Sequence, residues 1–398
     1  MSARLRSVGF DGLRSLRGVE LALDGLTVLI GENGSGKSTI LEGLQLLRRI
    51  GTVSFQSRFN EDHGGVSPLM GGRGGQLTLA ASAESSKYRF HYSATIHGDS
   101  DGRWWFDRET LDATKPGGSD AVHRERDVKG AIGPGGEPGM VGATVSALVG
   151  DFGGFTPCVD FREALAGIEV QVPFDARAGW STRQVNIVSP MRTPQPLTGA
   201  NEIRPFGSNI ASAFQALKNG RKDHWERTLD YVRLGLGERV EDVAVEVLGQ
   251  GFASIVLVLR SGVRVGASAM SDGMLSYLAY VAMFRLSSDG RSLLAFDEPE
   301  AHLHPGLLMR VLGMFEAEAK LHPVVLATHS DALLDALENP VKSVVVCELD
   351  PDDQTRLRRP DEHALTKWVD RFRGLGDARA NGELPLALAD EEPGSAAQ

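Results

Sequence analysis

The fold of this chain is decided by one stretch near its N-terminus, Gly31-Glu32-Asn33-Gly34-Ser35-Gly36-Lys37-Ser38-Thr39. It matches the phosphate-loop pattern G-x-x-x-x-G-K-S/T, in which glycines let backbone N–H groups close around phosphate oxygens. The apolar residues 26–30 before it predict a buried strand, and apolar residues at helical spacing after it, up to Gly51, predict a helix. A glycine turn that contains a lysine by chance would need neither element. The sequence therefore predicts a nucleotide-binding loop.

The positions of this loop have predicted roles in binding ATP and Mg²⁺. Lys37 is the mobile positive charge for the β- and γ-phosphates, and Ser38 offers its hydroxyl to Mg²⁺. The helix that follows points the positive end of its dipole at the anion, which is worth about 0.3 to 1 kcal/mol per charge. The predicted nucleotide contacts are Asn33, Gly34, Ser35, Gly36, Lys37, Ser38 and Thr39.

A second stretch, Leu293-Leu294-Ala295-Phe296-Asp297-Glu298, reads as an apolar strand that ends in two acids. Phosphoryl transfer needs one carboxylate that holds Mg²⁺ and another that orients or deprotonates the attacking water. We therefore predict that Asp297 is a metal ligand and that Glu298 acts on the water. The alternative is a strand that ends in two solvated acids, which would leave the phosphate loop without its metal ligand.

Two further segments carry groups that suit a γ-phosphate. The apolar residues 323–328 predict a short buried strand that ends at His329, whose imidazole can touch the γ-phosphate. The segment Ser271-Asp272-Gly273-Met274 stands directly before a helical pattern over residues 275–286. Its Ser271 hydroxyl and the N–H groups around Gly273 would form a second anion-binding helix start. Taken alone, this segment is also an ordinary helix N-cap.

The composition limits the classes of function that suit the chain. A formal net charge of -10 gives no general attraction to nucleic acid, although a local basic groove is compatible with it. The two cysteines, Cys158 and Cys347, are too few for a disulfide framework or a zinc site, so we expect a reducing compartment. The N-terminal residues lack an apolar signal core, and the apolar segment 275–284 is too short to span a bilayer. We expect a cytoplasmic protein with no membrane partner.

The rest of the chain predicts alternating strands, a glycine-rich insertion and a helical lobe. Strands are predicted over residues 4–23, 76–83, 87–97 and from Trp104, with further strands at 185–188, 243–247 and 254–259. Helices are predicted over 208–219 and 223–236. The predicted domains are an N-terminal ATPase lobe (1–114), a Gly-rich flexible insertion (115–155), a linker with a helical subdomain (156–250), a C-terminal ATPase lobe (251–385) and an acidic tail (386–398).

The order of these motifs resembles that of ABC-class ATPases. Their phosphate-loop, signature, acidic-strand and switch-histidine motifs match residues 31–38, 271–273, 293–298 and His329. More narrowly, residues 296–305 and 327–330 resemble the RecF, SMC and overcoming-lysogenization-defect branch, whose members are described as AAA family ATPases. The likeness covers roughly residues 4–50 and 185–385. It implies an α/β P-loop NTPase of ABC ATPase type, with a mixed sheet, an antiparallel β subdomain and a small helical lobe.

The resemblance also implies how the chain assembles. Two subunits would sandwich two ATP molecules, so that Ser271 and Gly273 of one chain contact the γ-phosphate held by Lys37 of the other. The chain departs from the family in two ways. The segment Ser271-Asp272-Gly273-Met274 lacks the second glycine of the transporter signature, and Ser276 stands where relatives often carry a basic residue. No heptad run predicts coiled-coil arms, so the resemblance is to a stand-alone ATPase.

The function that follows is a Mg²⁺-dependent ATPase switch in DNA repair or anti-phage defence, with a protein effector as partner and DNA as the other partner the resemblance allows. One alternative is a nuclease of the overcoming-lysogenization-defect type, for which Glu348, Asp350 and Asp352 would have to bind metal instead of being solvated turn acids. The other alternative is a transporter ATPase subunit, which would need the two-glycine signature and a coupling surface for a membrane protein.

Overall fold

A computed structural model describes residues 3–70, 75–99, 103–116, 121–127, 144–150, 156–177, 189–286 and 290–359. The chain divides into two units, each made of discontinuous segments. The first unit comprises Met1–Val170, Gly290–Ala295 and Ala319–Gln398, and the second comprises Gln171–Asp289 and Phe296–Glu318.

The described residues form the following strands and helices. The strands are β1 (Arg4–Asp11), β2 (Val19–Ala22), β3 (Leu26–Gly31), β4 (Gly75–Glu84), β5 (Arg89–Gly98), β6 (Trp104–Thr114), β7 (Ala121–Asp127), β8 (Ile168–Gln171), β9 (Gln195–Pro196), β10 (Val240–Gly249), β11 (Phe252–Leu259), β12 (Arg264–Gly266), β13 (Leu293–Asp297), β14 (Val324–Ala327), β15 (Val344–Leu349) and β16 (Thr355–Arg358). The helices are α1 (Lys37–Ile50), α2 (Phe55–His63), α3 (Thr156–Ala166), α4 (Ile210–Asn219), α5 (Lys222–Leu236), α6 (Asp272–Arg285), α7 (Pro305–Ala319), α8 (Asp331–Asp335) and α9 (Pro340–Ser343).

An antiparallel sheet in the first unit has the strand order β2-β1-β4-β5-β6-β7. Its strands alternate between buried apolar and more exposed polar residues, as expected for a sheet with one face in the core. Helix α1 packs closely on β1 at Gly43, where an added Cβ would lie 2.5 Å from the Phe10 ring. Phe10 is therefore a core residue, as its apolar neighbours in the sequence favour.

The second sheet of this unit has the order β16-β15-β3-β14-β13-β8 and contains the phosphate-loop strand near its centre. Strands β14 and β15 flank β3 in parallel, with Ala327 and Val345 both opposite Leu29. These strands are almost wholly apolar because both faces of a parallel sheet are covered. The carboxyl ends of β3 and β14 consequently meet at one sheet edge. Strand β13 joins this sheet, and its last two residues belong to the second unit.

The second unit combines a small antiparallel sheet, built from β9 to β12, with helices α4, α5, α6 and α7. Helix α6 is apolar on all sides and is buried from Leu275 to Met283. Helix α5 approaches it at Gly235, where a Cβ would lie 2.1 Å from the Tyr277 ring, so any side chain at this position would clash. The Tyr277 hydroxyl also donates a 2.7 Å hydrogen bond to the Tyr231 carbonyl of α5.

The structure differs from the sequence predictions in several places. Within the segment predicted as a flexible insertion (115–155), residues 121–127 form β7, and Ala147 and Leu148 are buried in the core. The strand predicted over residues 185–188 lies outside the described residues. The sequence does not predict helices α2, α3 and α7 or strands β8 and β16. The boundaries of the five predicted domains stay a prediction. In the described ranges, no helix combines the length and apolar character needed to cross a membrane.

Candidate nucleotide-binding site

The phosphate loop has the backbone conformation that its glycines allow. Gly34 and Gly36 have φ angles of 83° and 99°, values that side-chain-bearing residues rarely adopt. Gly36 also lies against β16, and a Cβ at this position would be 2.4 Å from the Thr355 hydroxyl. Gly31 is equally confined, because a Cβ there would lie 2.1 Å from the Cys347 carbonyl oxygen of β15. The loop therefore rests on the β15–β16 hairpin.

Lys37, the first residue of α1, directs its side chain back over the loop. Its ammonium donates to the carbonyl oxygens of Gly31 at 3.0 Å and Glu32 at 2.8 Å, with the Ser35 hydroxyl oxygen at 3.5 Å. The residue is 5% exposed, so the charge is largely removed from water. The Lys37 ammonium thus lies over the loop, where it can bind a phosphate oxygen.

The loop fits the phosphates of a nucleotide on three observations. An added Cβ at Gly34 meets no atom of the described residues within 4 Å, so these residues leave space beside the loop. Helix α1 begins at the loop and carries no acidic residue in its first turn, which leaves its positive dipole end uncancelled. Ser38 is exposed in that first turn, where its hydroxyl can ligate Mg²⁺.

His329 lies at the same edge of the sheet as this loop. The N–H of Thr328 donates to the Leu29 carbonyl at 3.1 Å, which extends the β14–β3 pairing by one residue. Ser330 then caps α8 by accepting a hydrogen bond from the Leu333 N–H at 3.2 Å. His329 is thus fixed between the end of a buried strand and the start of a capped helix.

The acidic segment in the second unit has an unusual backbone. Glu298 has a φ angle of 45° and is exposed, while Asp297 is half-buried. A left-handed conformation in a residue with a Cβ costs roughly 1 to 2 kcal/mol and is concentrated at functional sites. The segment is held by Phe296, which packs on the rings of Tyr280 and Phe315, and by the Tyr280 hydroxyl, which donates to the Pro299 carbonyl at 3.0 Å. Burial raises the pKa of Tyr280 well above its ordinary value, so this donor keeps its proton.

The predicted signature segment starts α6 in the same unit. The Ser271 hydroxyl caps the helix by accepting from the Met274 N–H at 3.3 Å. Gly273 faces the loop that follows the acids, because a Cβ there would lie 3.2 Å from the His302 carbonyl oxygen. Ser276 is fully buried, so a basic residue at this position would not fit without rearrangement.

Arg192 holds this segment in place and was not found by sequence reasoning. Its guanidinium donates to the carbonyls of Ala267 at 3.2 Å and Met270 at 2.8 Å, and to the Asp272 carboxylate at 2.5 Å. The arginine side chain is only 4% exposed. The Gln195 side chain forms hydrogen bonds with the local backbone of Pro190, Gly207 and Ala211. Arg192 had no sequence signal, since its partners lie about 80 residues away in the chain.

The predicted site residues are divided between the two units. The first unit contains the phosphate loop and His329 at one sheet edge, and the second contains Ser271, Gly273, Asp297 and Glu298. Their roles in binding and catalysis stay predictions. Burial raises the pKa of Cys347, which backs the loop, to about 12, so its thiol stays protonated and unreactive.

Comparison with known proteins identifies the family of this chain. A sequence profile of the family described as "AAA domain, putative AbiEii toxin, Type IV TA system" matches residues 26–134 and 193–335, more than half of the chain. A search of curated proteins found no match.

Three solved structures are similar to this chain. The crystal structure of the SmcHead bound to the C-winged helix domain of ScpA matches with a TM-score of 0.51 and 12% identity, over 92% of this chain and 99% of that one. An Smc head domain with an extended coiled coil, bound to the C-terminal domain of ScpA derived from Pyrococcus furiosus, has a TM-score of 0.48 and 12% identity over 93% and 99%. The SMC head domain from Thermotoga maritima has 0.41 and 14% over 90% and 99%. The first of these confirms the predicted α/β fold of ABC ATPase type.

Proposed function

We propose, from the premise that this chain belongs to the family described as "AAA domain, putative AbiEii toxin, Type IV TA system", that it is a Mg²⁺-dependent ATPase working as an ATP-sandwich homodimer. The family is one of nucleotide-binding ATPases, and the resemblance to the SMC-like branch without coiled-coil arms is confirmed.

The observation that carries the proposal is the position of Lys37. The buried Lys37 ammonium contacts the oxygens of Gly31, Glu32 and Ser35, so it lies over the loop where it can bind a phosphate oxygen. An ammonium–phosphate bond is strong because donor and acceptor carry opposite charges. We therefore assign the β- and γ-phosphates of ATP to this loop.

In the proposed reaction, a water molecule attacks the γ-phosphorus and the bond to the β–γ bridging oxygen breaks, so that ADP and phosphate are formed. Glu298 orients the water and accepts its proton, and His329 contacts the γ-phosphate. Ser38 and Asp297 are the residues that would hold Mg²⁺, which supplies neutralisation of the phosphate charge. The strained backbone of Glu298 supports its role, because such strain persists where a side chain must be aimed.

The first experiment measures ATP binding by calorimetry and hydrolysis by phosphate release. Lys37→Ala is expected to abolish binding, and Asp297→Ala to abolish Mg²⁺-dependent hydrolysis. Lys87→Ala, which removes an exposed lysine of the same unit, is the matched control and is expected to behave as the unaltered protein. Near-normal hydrolysis in Lys37→Ala would contradict the proposal.

The dimer is tested with Glu298→Gln, which keeps nucleotide binding and removes the proton acceptor. We expect this variant to accumulate as a dimer with ATP, because the closed state is no longer released by hydrolysis. The measurement is the mass by light scattering with and without ATP, and a mass that does not change counts against the sandwich. Ser271→Arg is expected to block hydrolysis by filling the γ-phosphate site of the partner.

We propose that the ATPase acts with a protein effector. The formal net charge of -10 supports a protein partner over general DNA coating, and DNA would need a local basic groove. The family description refers to a toxin–antitoxin system, which supports anti-phage defence over DNA repair as the setting. Co-purification from the native host tests this, since a nucleic acid without a bound protein would overturn it.

The structure does not favour the nuclease alternative. Glu348 pairs with Arg358 at 2.7 Å, across the β15–β16 hairpin. The Asp350 carboxylate accepts from the Asp352 N–H at 3.0 Å and the Gln354 N–H at 2.9 Å, so it builds the hairpin turn. Among the described residues, no group of three His, Cys, Asp or Glu side chains could hold a metal ion. We expect no DNA cleavage by the purified chain with Mg²⁺ or Mn²⁺ and ATP.

A further inference from the structure

A chain of hydroxyl groups connects β16 to the phosphate loop. The Thr355 hydroxyl donates to the Ser35 carbonyl oxygen at 3.0 Å, and its oxygen lies 2.8 Å from the Ser15 hydroxyl oxygen. A hydroxyl has one proton to give. Because Thr355 donates its proton to Ser35, the Ser15 hydroxyl must be the donor to Thr355. The Thr355 N–H in turn donates to the Ser15 carbonyl at 2.9 Å, so two hydrogen bonds join these residues.

The carbonyl that Thr355 holds belongs to the peptide between Ser35 and Gly36. In a trans peptide the C=O and N–H point in opposite directions, and no cis peptide bond is present in the described chain. Holding the Ser35 oxygen towards β16 therefore turns the Gly36 N–H away from β16. This is the direction in which a phosphate loop presents its N–H groups to an anion.

The site of this contact is closed to other partners. Thr355 is 0% exposed, and Gly36 is so close to it that an added Cβ would lie 2.4 Å from the Thr355 hydroxyl. Water therefore has no room to replace the threonine as donor to the Ser35 carbonyl. If the Thr355 hydroxyl is removed, the buried Ser35 carbonyl loses this hydrogen bond. The free-energy cost of leaving it unpaired then favours rotation of the Ser35–Gly36 peptide.

We propose that Thr355 is a positioning residue for nucleotide binding, which orients the Ser35–Gly36 peptide so that the Gly36 N–H faces the phosphates. The inference deepens the proposed ATPase function and rests on it. Thr355 itself does not touch the nucleotide. Its loss lowers the population of loops that are ready to bind, and the apparent Kd rises by the same factor.

The test compares Thr355→Val, which keeps the shape and removes the hydroxyl, with Thr355→Ser, which keeps the hydroxyl. We expect Thr355→Val to raise the Kd for both ATP and ADP by about tenfold. The hydrolysis rate at saturating ATP should stay within about twofold, because the reacting groups are untouched. Thr355→Ser should restore the Kd to within about twofold of the unaltered protein.

A matched control is Thr27→Val in the phosphate-loop strand. Thr27 is also buried, at 1% exposure, and among the described residues its hydroxyl has no hydrogen-bond partner. Removing the Thr27 hydroxyl is expected to leave the Kd unchanged. If the Kd rises only in Thr355→Val, the cause is the lost hydrogen bond to Ser35 and not the presence of a buried valine. Circular dichroism and thermal unfolding establish that each variant is folded.

The outcomes separate this inference from the proposed function. If the unaltered protein binds no ATP, the proposed function fails. If it binds ATP and Thr355→Val binds equally well, or if Thr355→Ser is as weak as Thr355→Val, the positioning role is wrong. Should Thr355→Val not fold, Ser15→Ala carries the test, because it removes the donor to Thr355 and should raise the Kd about threefold; an unchanged Kd there would also overturn the role.

Discussion

Replacing Glu298 by glycine should make the protein more stable while it abolishes hydrolysis. Glu298 has a φ angle of 45°, a left-handed conformation that costs a residue with a Cβ roughly 1 to 2 kcal/mol. Glycine adopts this conformation without strain. Because glycine also gives the unfolded chain more conformational freedom, it lowers the free energy of unfolding by about 0.5 to 1 kcal/mol. The expected net gain in the free energy of unfolding is about 0.5 to 1 kcal/mol.

The comparison variant is Glu298→Gln, which keeps the strained backbone and removes only the carboxylate. Urea unfolding followed by circular dichroism gives the free energy of unfolding of each variant. Glu298→Gly is expected to be the more stable of the two. Both variants should lose hydrolysis by about 10²- to 10⁴-fold, the usual contribution of a group that accepts a proton in the transition state.

A control for the backbone effect is available at Gln250. This residue is exposed in the β10–β11 turn and has a φ angle of 51°, between two glycines that also have positive φ angles. Gln250→Gly should give a similar gain in stability with unchanged ATPase activity. The reasoning is refuted if Gln250→Gly is stabilised and Glu298→Gly is not, because Glu298 would then be unstrained. Hydrolysis that survives in Glu298→Gly would remove its role in activating water.

Arg192→Met should lower hydrolysis at least tenfold while ATP binding, measured by calorimetry, stays unchanged, because the arginine fixes the signature segment through Asp272 and not the phosphate loop; a weakened ATP affinity would contradict this. The hydrogen bond from the Gln354 N–H, followed by that from the Asp352 N–H, lowers the pKa of Asp350. The ionised carboxylate therefore stabilises the fold above the ordinary aspartate pKa of about 4, and this stabilisation is lost as the pH falls through the lowered pKa. Asp350→Asn should remove this part of the pH dependence of the free energy of unfolding. Glu109 is fully buried and accepts hydrogen bonds from Tyr92, Ser146 and Ala147, so Glu109→Ala should destabilise the protein by about 3 kcal/mol in urea unfolding, and a loss below 1 kcal/mol would show that the site relaxes.

The sequence predicts those parts of the fold in which local pattern and function coincide. The strand, loop and helix around Lys37 are found because the apolar period, the glycines and the helix stop at Gly51 all act within about 25 residues. Strand β7 was missed because it has few apolar residues, and its place in the sheet depends on its pairing with β6.

The parts of the candidate site that the sequence does not reveal depend on distant contacts or on backbone angles. Thr355 is an ordinary strand threonine until it is placed against Ser35, 320 residues away in the chain. The sequence predicts Glu298 as an acid after a strand. It does not predict the left-handed backbone conformation, because glutamate rarely adopts it. Tertiary contacts decide both features.

The central place of β3 in its sheet has a consequence for biosynthesis. Its two parallel neighbours are Val324–Ala327 and Val344–Leu349, and the strand that backs the loop is Thr355–Arg358. A ribosome that adds about 5 to 20 residues per second needs on the order of 15 to 60 s to make these partners after the loop itself has been made. During this interval the apolar residues of β3 have neither neighbour to pair with. Nucleotide cannot stabilise the nascent chain through this sheet until β14, β15 and β16 have been made, and a chaperone that shields apolar segments has its main opportunity on this protein before that point.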